Sequence, residues 1–319
     1  MLRPWRHFRA LVIVLSLAFV APLLAEQPVE KKAAPGKFIR VQRNADKEPT
    51  ALETAIVRYV PASGEGNLTV DLVAVVHIGD KDYYQKLNKE FENYDVVLYE
   101  LVAPEGTRIP KGGKREGGIN PLALMQQMMK AGMNLESQTE QIDYTKKNFV
   151  HADMSPDQMA EAMKKRGDDP LTLMLSVVTE MIRQQNRQGQ EKDKNAHPQP
   201  DVDPLTLLLD PDGPNKMKKA MAAQMEDLDG ATAGLGQTLN TILITDRNAA
   251  ALKVFSKELA NGKKKIAVFY GAAHMPDFEK RLRDDFGLKR SSEQWFTAWD
   301  LQQKAQPRNG LEDLLKLLK

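Results

Sequence analysis

Between Leu68 and Tyr99 the chain runs strand, short helix, strand, and little else fits that stretch. Leu68–Ile78 (LTVDLVAVVHI) is rich in β-branched residues and ends in a nearly continuous apolar run, the mark of a strand buried on both faces. Tyr83, Tyr84, Leu87 and Phe91 then recur at helical spacing, with Asp80 placed to act as the N-cap. Asp95–Tyr99 (DVVLY) is a second buried strand. A βαβ unit of this kind needs both strands parallel in one sheet, with the helix covering a face.

The flanking sequence extends that sheet. Phe38–Val41 reads as a short strand, and Thr54–Val60 (TAIVRYV) is joined to Leu68–Ile78 by the turn-forming Pro61–Asn67 (PASGEGN). Near the other end, Lys265–Tyr270 (KIAVFY) is a buried strand and Gln294–Asp300 an edge strand. They are accompanied by helices over Arg247–Leu259 and Asp277–Phe286. Thr245 or Asp246 is expected to cap the first of these helices, and Asn261-Gly262 to close it.

The middle is of different character. Pro121–Leu135, Leu171–Arg187 and Lys216–Leu228 read as helices, the first rich in methionine. Ser155-Pro156-Asp157-Gln158 has a capping-box pattern, and Phe149–Ala152 is a short strand. Gln188–Asp203 is polar and without periodicity, a mobile surface loop. The expected class is therefore α/β, a central mixed β-sheet flanked by helices, with a helical insertion between the N- and C-terminal sheet-forming parts. The expected boundaries are a signal peptide over 1–25, a linker and first short strand over 26–53, and the main domain over 54–300. The insertion spans about 120–230 of that domain, and a helical tail follows at 301–319.

The N-terminus predicts the compartment. Arg3, Arg6 and Arg9 precede the apolar stretch Ala10–Leu24, and Ala25 stands before the polar Glu26. That order makes a secretory signal peptide, and the apolar run is short of the ~20 residues a membrane span uses. The chain is thus expected to be exported, periplasmic or secreted; an uncleaved N-terminal anchor is the alternative and the sole expected membrane contact. Without the three leader arginines, 42 basic residues stand against 43 acidic ones, a balance that offers no basic face to nucleic acid. There is no cysteine, so disulfides, lipobox acylation and thiol nucleophiles are excluded, and any metal must take nitrogen and oxygen ligands.

Chemistry-bearing residues gather where ligands bind in open α/β sheets, beyond the carboxyl ends of the strands. His77 leaves its strand there in Ala74-Val-Val-His77, and His274 does so in Gly271-Ala-Ala-His274. Glu100 closes the strand Asp95–Tyr99 at the same edge. The helix Arg247–Leu259 runs back against the following strand, which returns Arg247 and Asn248 to that edge. Asp153 sits at a strand-to-helix junction nearby. A carboxylate closing a buried apolar strand demands a partner.

With these residues in view, the chain resembles the TraB/GumN family, which includes the Tiki proteins and is related to erythromycin-esterase-like and ChaN-like proteins. The resemblance rests on His77, on Glu100 in Tyr-Asp-Val-Val-Leu-Tyr-Glu, on Arg247-Asn248 and on Gly271-Ala-Ala-His274, with Asp153 as a further position; it runs from about Thr54 to Leu288 and is thin through the middle. It departs at Ala74, where the family has glycine. The resemblance implies a metal-dependent, peptidase-like hydrolase acting on a peptide or protein substrate, with His77, Glu100 and His274 holding a divalent manganese, cobalt or zinc ion. His77 and His274 would serve as ligands or acid/base groups and Glu100 as ligand or general base. Arg247 would hold a carboxylate or the charge on a tetrahedral oxygen, and Asn248 would orient its neighbours. The residues themselves also allow direct activation of water by Glu100 and a histidine, without metal. A rival of another class is an envelope binding protein that captures metal, haem or peptide in the same cleft. No HExxH or GxSxG occurs, and Gly230–Gly236 (GATAGLG) lacks the residues of a phosphate loop.

Overall fold

Alternation along the strands decides which side chains meet which layer. In the computed structural model, residues 36–104, 106–113, 133, 135–167, 210, 212–226 and 240–302 are described. The leader, the polar loop at 188–203, the helix expected over 171–187, the glycine-rich stretch at 230–236 and the terminal helix at 311–318 lie outside them. So does the helix expected over 121–135, apart from Met133 and Leu135.

The strands are β1 (Ile39–Arg43), β2 (Pro49–Pro61), β3 (Thr69–Val75), β4 (Ile78–Gly79), β5 (Val96–Tyr99), β6 (Glu136–Ser137), β7 (Phe149–His151), β8 (Lys265–Gly271) and β9 (Leu288–Asp300). The helices are α1 (Lys81–Glu90), α2 (Gln138–Gln141), α3 (Pro156–Arg166), α4 (Gly213–Glu226), α5 (Asp246–Ala260) and α6 (Met275–Asp284). A mixed sheet of seven strands runs in the order β1-β2-β3-β8-β5-β7, with β9 pairing along β2; β4 and β6 form a separate two-stranded sheet. Strands β3, β8, β5 and β7 are mutually parallel, while β2 is antiparallel to β1, β3 and β9.

The α/β class and the mixed, helix-flanked sheet are as expected. The strand order differs from the simplest reading in one respect that matters for the site. β3 and β5 are parallel but do not touch, because β8 lies between them and pairs with both. A strand from the C-terminal part therefore sits at the centre of the N-terminal βαβ unit. Phe149–His151 also joins this sheet from within the stretch expected to be a helical insertion.

Period-two alternation splits the core across the sheet. Val73, Val75, Val97, Tyr99, Ala267 and Phe269 face one side, where α1 contributes Tyr83, Tyr84 and Leu87 and α4 contributes Met217, Met221 and Met225. Leu72, Ala74, Leu98, Ile266, Val268 and Tyr270 face the other, covered by Leu252 and Phe255 of α5 and by Met275, Phe278 and Leu282 of α6. The methionines of α4 thus fill core space, as unbranched, adaptable side chains do.

Two helix starts depart from expectation and one follows it. Asp80 occupies the N-cap position of α1 but makes no capping bond. Its carboxylate instead accepts from Lys218 Nζ at 3.1 Å and from the Asp300 amide at 2.5 Å, tying α4 and the end of β9 to this corner. Neither Thr245 nor Asp246 caps α5, since a π-helical turn over Thr241–Thr245 runs straight into it and the backbone is already helical at Thr245. Ser155 and Gln158 do form the expected capping box on α3, which Gly167 closes in the left-handed conformation.

Candidate active site

The parallel strands deliver their carboxyl ends to one edge. Val75 and Gly271, the last residues of β3 and β8, are register partners, and Tyr99 of β5 pairs with Phe269. His77, Glu100 and His274 follow those ends directly. The two histidine segments are not equivalent. His77 sits at a bend that leads into β4, whereas His274 closes a 3-10 turn (Ala272–His274) that leads into α6. His77 is solvent-exposed and His274 is buried.

Gly271 shows how closely the three approach. A methyl group built on it would stand 3.4 Å from Glu100 Oε2, 3.7 Å from His77 Nε2 and 3.8 Å from His274 Cδ2. The missing side chain leaves a cradle that a carboxylate and both imidazoles line. The Gly271 φ is −52°, a value open to any residue, so its backbone does not require glycine here.

The backbone around His77 is pinned almost atom by atom. The Tyr84 phenol donates to the Val76 carbonyl at 2.9 Å, the Gln138 amide to the His77 carbonyl at 2.9 Å, and Trp299 Nε1 to the Ile78 carbonyl at 2.7 Å. The Asp80 amide donates to Ala298 at 2.8 Å. These bonds satisfy polar groups left over where the β3 ladder stops. The His77 ring is held in turn, with Nδ1 at 2.9 Å from Gln138 Oε1.

Glu100 accepts from Arg247 Nη2 through Oε1 at 2.7 Å and from the Gly271 amide through Oε2 at 2.8 Å. His274 Nε2 lies 3.5 Å from the same Oε1. Burial pushes the Glu100 carboxyl upward. The hydrogen bond and charge of His274 outweigh it, with the charges of Arg247 and His77, and hold the group well below the usual carboxylate range. Glu100 is therefore ionised at neutral pH.

Arg247 is committed to two carboxylates. Nε and Nη2 bind Asp153 at 3.0 and 2.6 Å, in the fork geometry that suits guanidinium and carboxylate. Asp153, whose side chain is fully buried, also accepts the Leu101 amide at 2.9 Å and the Met154 amide at 2.7 Å. Burial works against the Arg247 charge, but Asp153 and Glu100 more than offset it and raise its pKa above the ordinary value. Two carboxylates share one guanidinium, which leaves the cluster short of one positive charge.

Asn248 fixes His274. Its Nδ2 donates to the His274 carbonyl at 3.0 Å and to Asp277 Oδ2 at 2.9 Å. Both of those oxygens can only accept, so Oδ1 is the atom that meets His274 Nδ1 at 2.6 Å, and it accepts a proton from it. The other ring nitrogen then faces Glu100. Tyr270, whose phenol is held protonated by burial and by the nearby Asp153 and Glu100 charges, donates to the Ala152 carbonyl and braces the junction before Asp153.

All six candidates are thus brought together in two tiers. His77, Glu100 and His274 line the cradle; Arg247 and Asp153 stand behind Glu100, and Asn248 behind His274. His151 is apart, with Nε2 at 2.5 Å from the Leu101 carbonyl, and His7 and His197 lie outside the described residues. Gln138, Tyr270 and Asp277 were not foreseen. Asp277 lies one helical turn after His274, a spacing that offered a signal; Gln138 offered none.

The donor set does not, as arranged, fit the divalent ion that the family resemblance implies for His77, Glu100 and His274. Both Glu100 oxygens already accept an N–H, and a guanidinium stands 2.7 Å from one of them. Among the described residues no three His, Asp or Glu side chains stand in a group that could hold a metal ion. No family model, curated protein or solved structure matches the chain.

Proposed function

We propose that the chain is an exported, TraB/GumN-like hydrolase that uses His77 to activate water against a peptide or ester carbonyl. The observation that carries this reading is the convergence of His77 Nε2, Glu100 Oε2 and the His274 ring within 4 Å of one point beside Gly271. A space of that size between an imidazole and a carboxylate suits one water molecule, which a carbonyl would approach from the exposed His77 side.

The roles follow from basicity and exposure. A carboxylate held well below its usual range is a weak base, so Glu100 contributes charge and orientation rather than proton abstraction. Of the two imidazoles His77 is the exposed one, and its Nε2 faces the cradle. His77 Nε2 takes the proton from water as the oxygen attacks. His274 lies on the buried side with Nε2 3.5 Å from Glu100 Oε1, placed to hand a proton on that nitrogen to the leaving group. Arg247, taken up by Glu100 and Asp153, locks the carboxylate in place and is not available to clamp a substrate carboxylate. No step passes through a metal ion.

The test is hydrolysis of a peptide library and a panel of acyl esters by the purified full chain, beside His77→Ala, Glu100→Gln and His274→Ala, with elemental analysis of each. Turnover that survives chelation and drops at least about 100-fold in His77→Ala, as loss of a general base requires, supports the reading. Turnover abolished by chelation would replace it with a metal-dependent one. Ligand capture without turnover would turn it into a binding protein.

A further inference from the structure

We propose that Gln138 is a positioning residue that sets His77 in the Nδ1–H tautomer and so keeps the Nε2 lone pair aimed at the Gly271 cradle. This rests on the reading of His77 as the base. Which imidazole nitrogen carries the proton is decided by the bond that the other nitrogen, or its own N–H, makes. At His77 that bond is to Gln138.

Gln138 is 5% exposed and held from three directions. Its backbone amide donates to the His77 carbonyl at 2.9 Å, its Oε1 meets His77 Nδ1 at 2.9 Å, and its Nε2 donates to the Tyr144 phenol at 2.9 Å. The pairing of β4 with β6, Ile78 with Ser137 and Gly79 with Glu136, sets the register that brings residue 138 to residue 77. The Tyr144 ring is itself wedged against Tyr99 and Phe149, with centroids 5.0 and 5.7 Å away. A buried amide with its N–H on a fixed phenol presents oxygen to the imidazole, and oxygen accepts only from Nδ1–H.

The site repeats this device. Asn248 Oδ1 fixes His274 at Nδ1 just as Gln138 Oε1 does His77, so each imidazole is held from behind by a side-chain amide, with His77 turning Nε2 to the cradle and His274 turning Nε2 to Glu100. The two amides come from unrelated segments, α5 and α2. Partners one step behind metal-bound histidines matter about 10- to 100-fold in activity, and an effect of that order is expected here.

The tautomer is readable without substrate. Long-range proton–nitrogen correlation spectra of the full chain carrying ¹⁵N-histidine distinguish protonated from bare ring nitrogens, with His77→Gln assigning the signals. In the wild-type chain His77 is expected to carry its proton on Nδ1. Gln138→Leu is expected to lose that preference while the His274 pattern stays, and to lower kcat/KM about 10- to 100-fold. Gln138→Glu, which keeps an oxygen on Nδ1, is expected to retain the tautomer and most of the rate. If Gln138→Leu also loses the His274 pattern, the chain has misfolded, and the wild-type and Gln138→Glu spectra decide. A wild-type His77 protonated on Nε2 overturns the proposal, as does a Gln138→Leu chain with an unchanged His77 tautomer. An intact wild-type tautomer with no turnover in any assay would instead sink the hydrolase reading alone.

Discussion

Asn248 grips His274 at both ends, donating from Nδ2 to its backbone carbonyl at 3.0 Å and accepting from its ring at 2.6 Å. One side chain thereby sets the position of the turn and the rotation of the imidazole. Asn248→Ala leaves the His274 carbonyl and Nδ1 without these partners in a buried place. It is expected to cost about 1–3 kcal/mol of stability along with most of the activity. Asn248→Asp is expected to cost more, because a carboxylate would then face both the His274 carbonyl and Asp277. Urea midpoints of the two variants decide the point, and equal midpoints for the wild type and Asn248→Ala would refute it.

Gly271→Ala separates room from stability. The new methyl would meet Glu100, His77 and His274 at 3.4–3.8 Å, ordinary contact distances, on a backbone that alanine adopts without strain. Replacing glycine at such a position restricts the unfolded chain and stabilises by about 0.4–1 kcal/mol. The melting temperature is therefore expected to hold or rise while turnover falls at least about tenfold, since the methyl takes the place of the attacking water. A variant as active as the wild type would show that the cradle is not where the reaction occurs.

What the sequence disclosed followed from how local each determinant is. Runs such as Val70–Val76, Val96–Tyr99 and Ile266–Tyr270 announced buried strands because both faces of each are covered, and the edge rule then placed Glu100 and His274 correctly. The insertion of β8 between β3 and β5 was not legible, since strand order is a tertiary choice that leaves no period in any one strand. The α5 start misled for a related reason: Thr245 and Asp246 are good caps, but the preceding π turn already supplies the carbonyls a cap would replace. Gln138 was hidden because its role depends on a two-residue pairing to a segment 61 positions away.

The depressed pKa of Glu100 ties stability to acid. A carboxyl whose folded pKa lies below its unfolded value of about 4.3 stabilises fully above that value, and the contribution is lost as pH falls through the folded pKa. Below about pH 4 the wild type should lose stability more steeply than Glu100→Gln, which has no carboxylate to titrate there. Near pH 7 the glutamine variant should be the less stable by about 1–3 kcal/mol, because its amide N–H must face either Arg247 or the Gly271 amide. Unfolding free energies measured from pH 7 to pH 3 give both curves, and parallel curves would rule this out.

The buried carboxylate at the far end of β3 provides the opposite case. Asp71 is 1% exposed and binds Arg58 through two hydrogen bonds of 2.9 and 2.7 Å, with the Tyr94 phenol donating at 2.8 Å. Removing Arg58 strands that charge, a change that costs about 3–5 kcal/mol for a fully buried pair. The Arg58 side chain is 49% exposed, so water already screens the interaction and about 1–3 kcal/mol is the better expectation. His77 lies six residues further along the strand direction, about 20 Å away at strand rise. Arg58→Ala should therefore melt earlier yet keep the wild-type kcat/KM at temperatures where it remains folded. A fall in kcat/KM at such temperatures would mean that the end of β3 is free to shift, and that the bonds from Tyr84, Gln138 and Trp299 do not hold His77 in place by themselves.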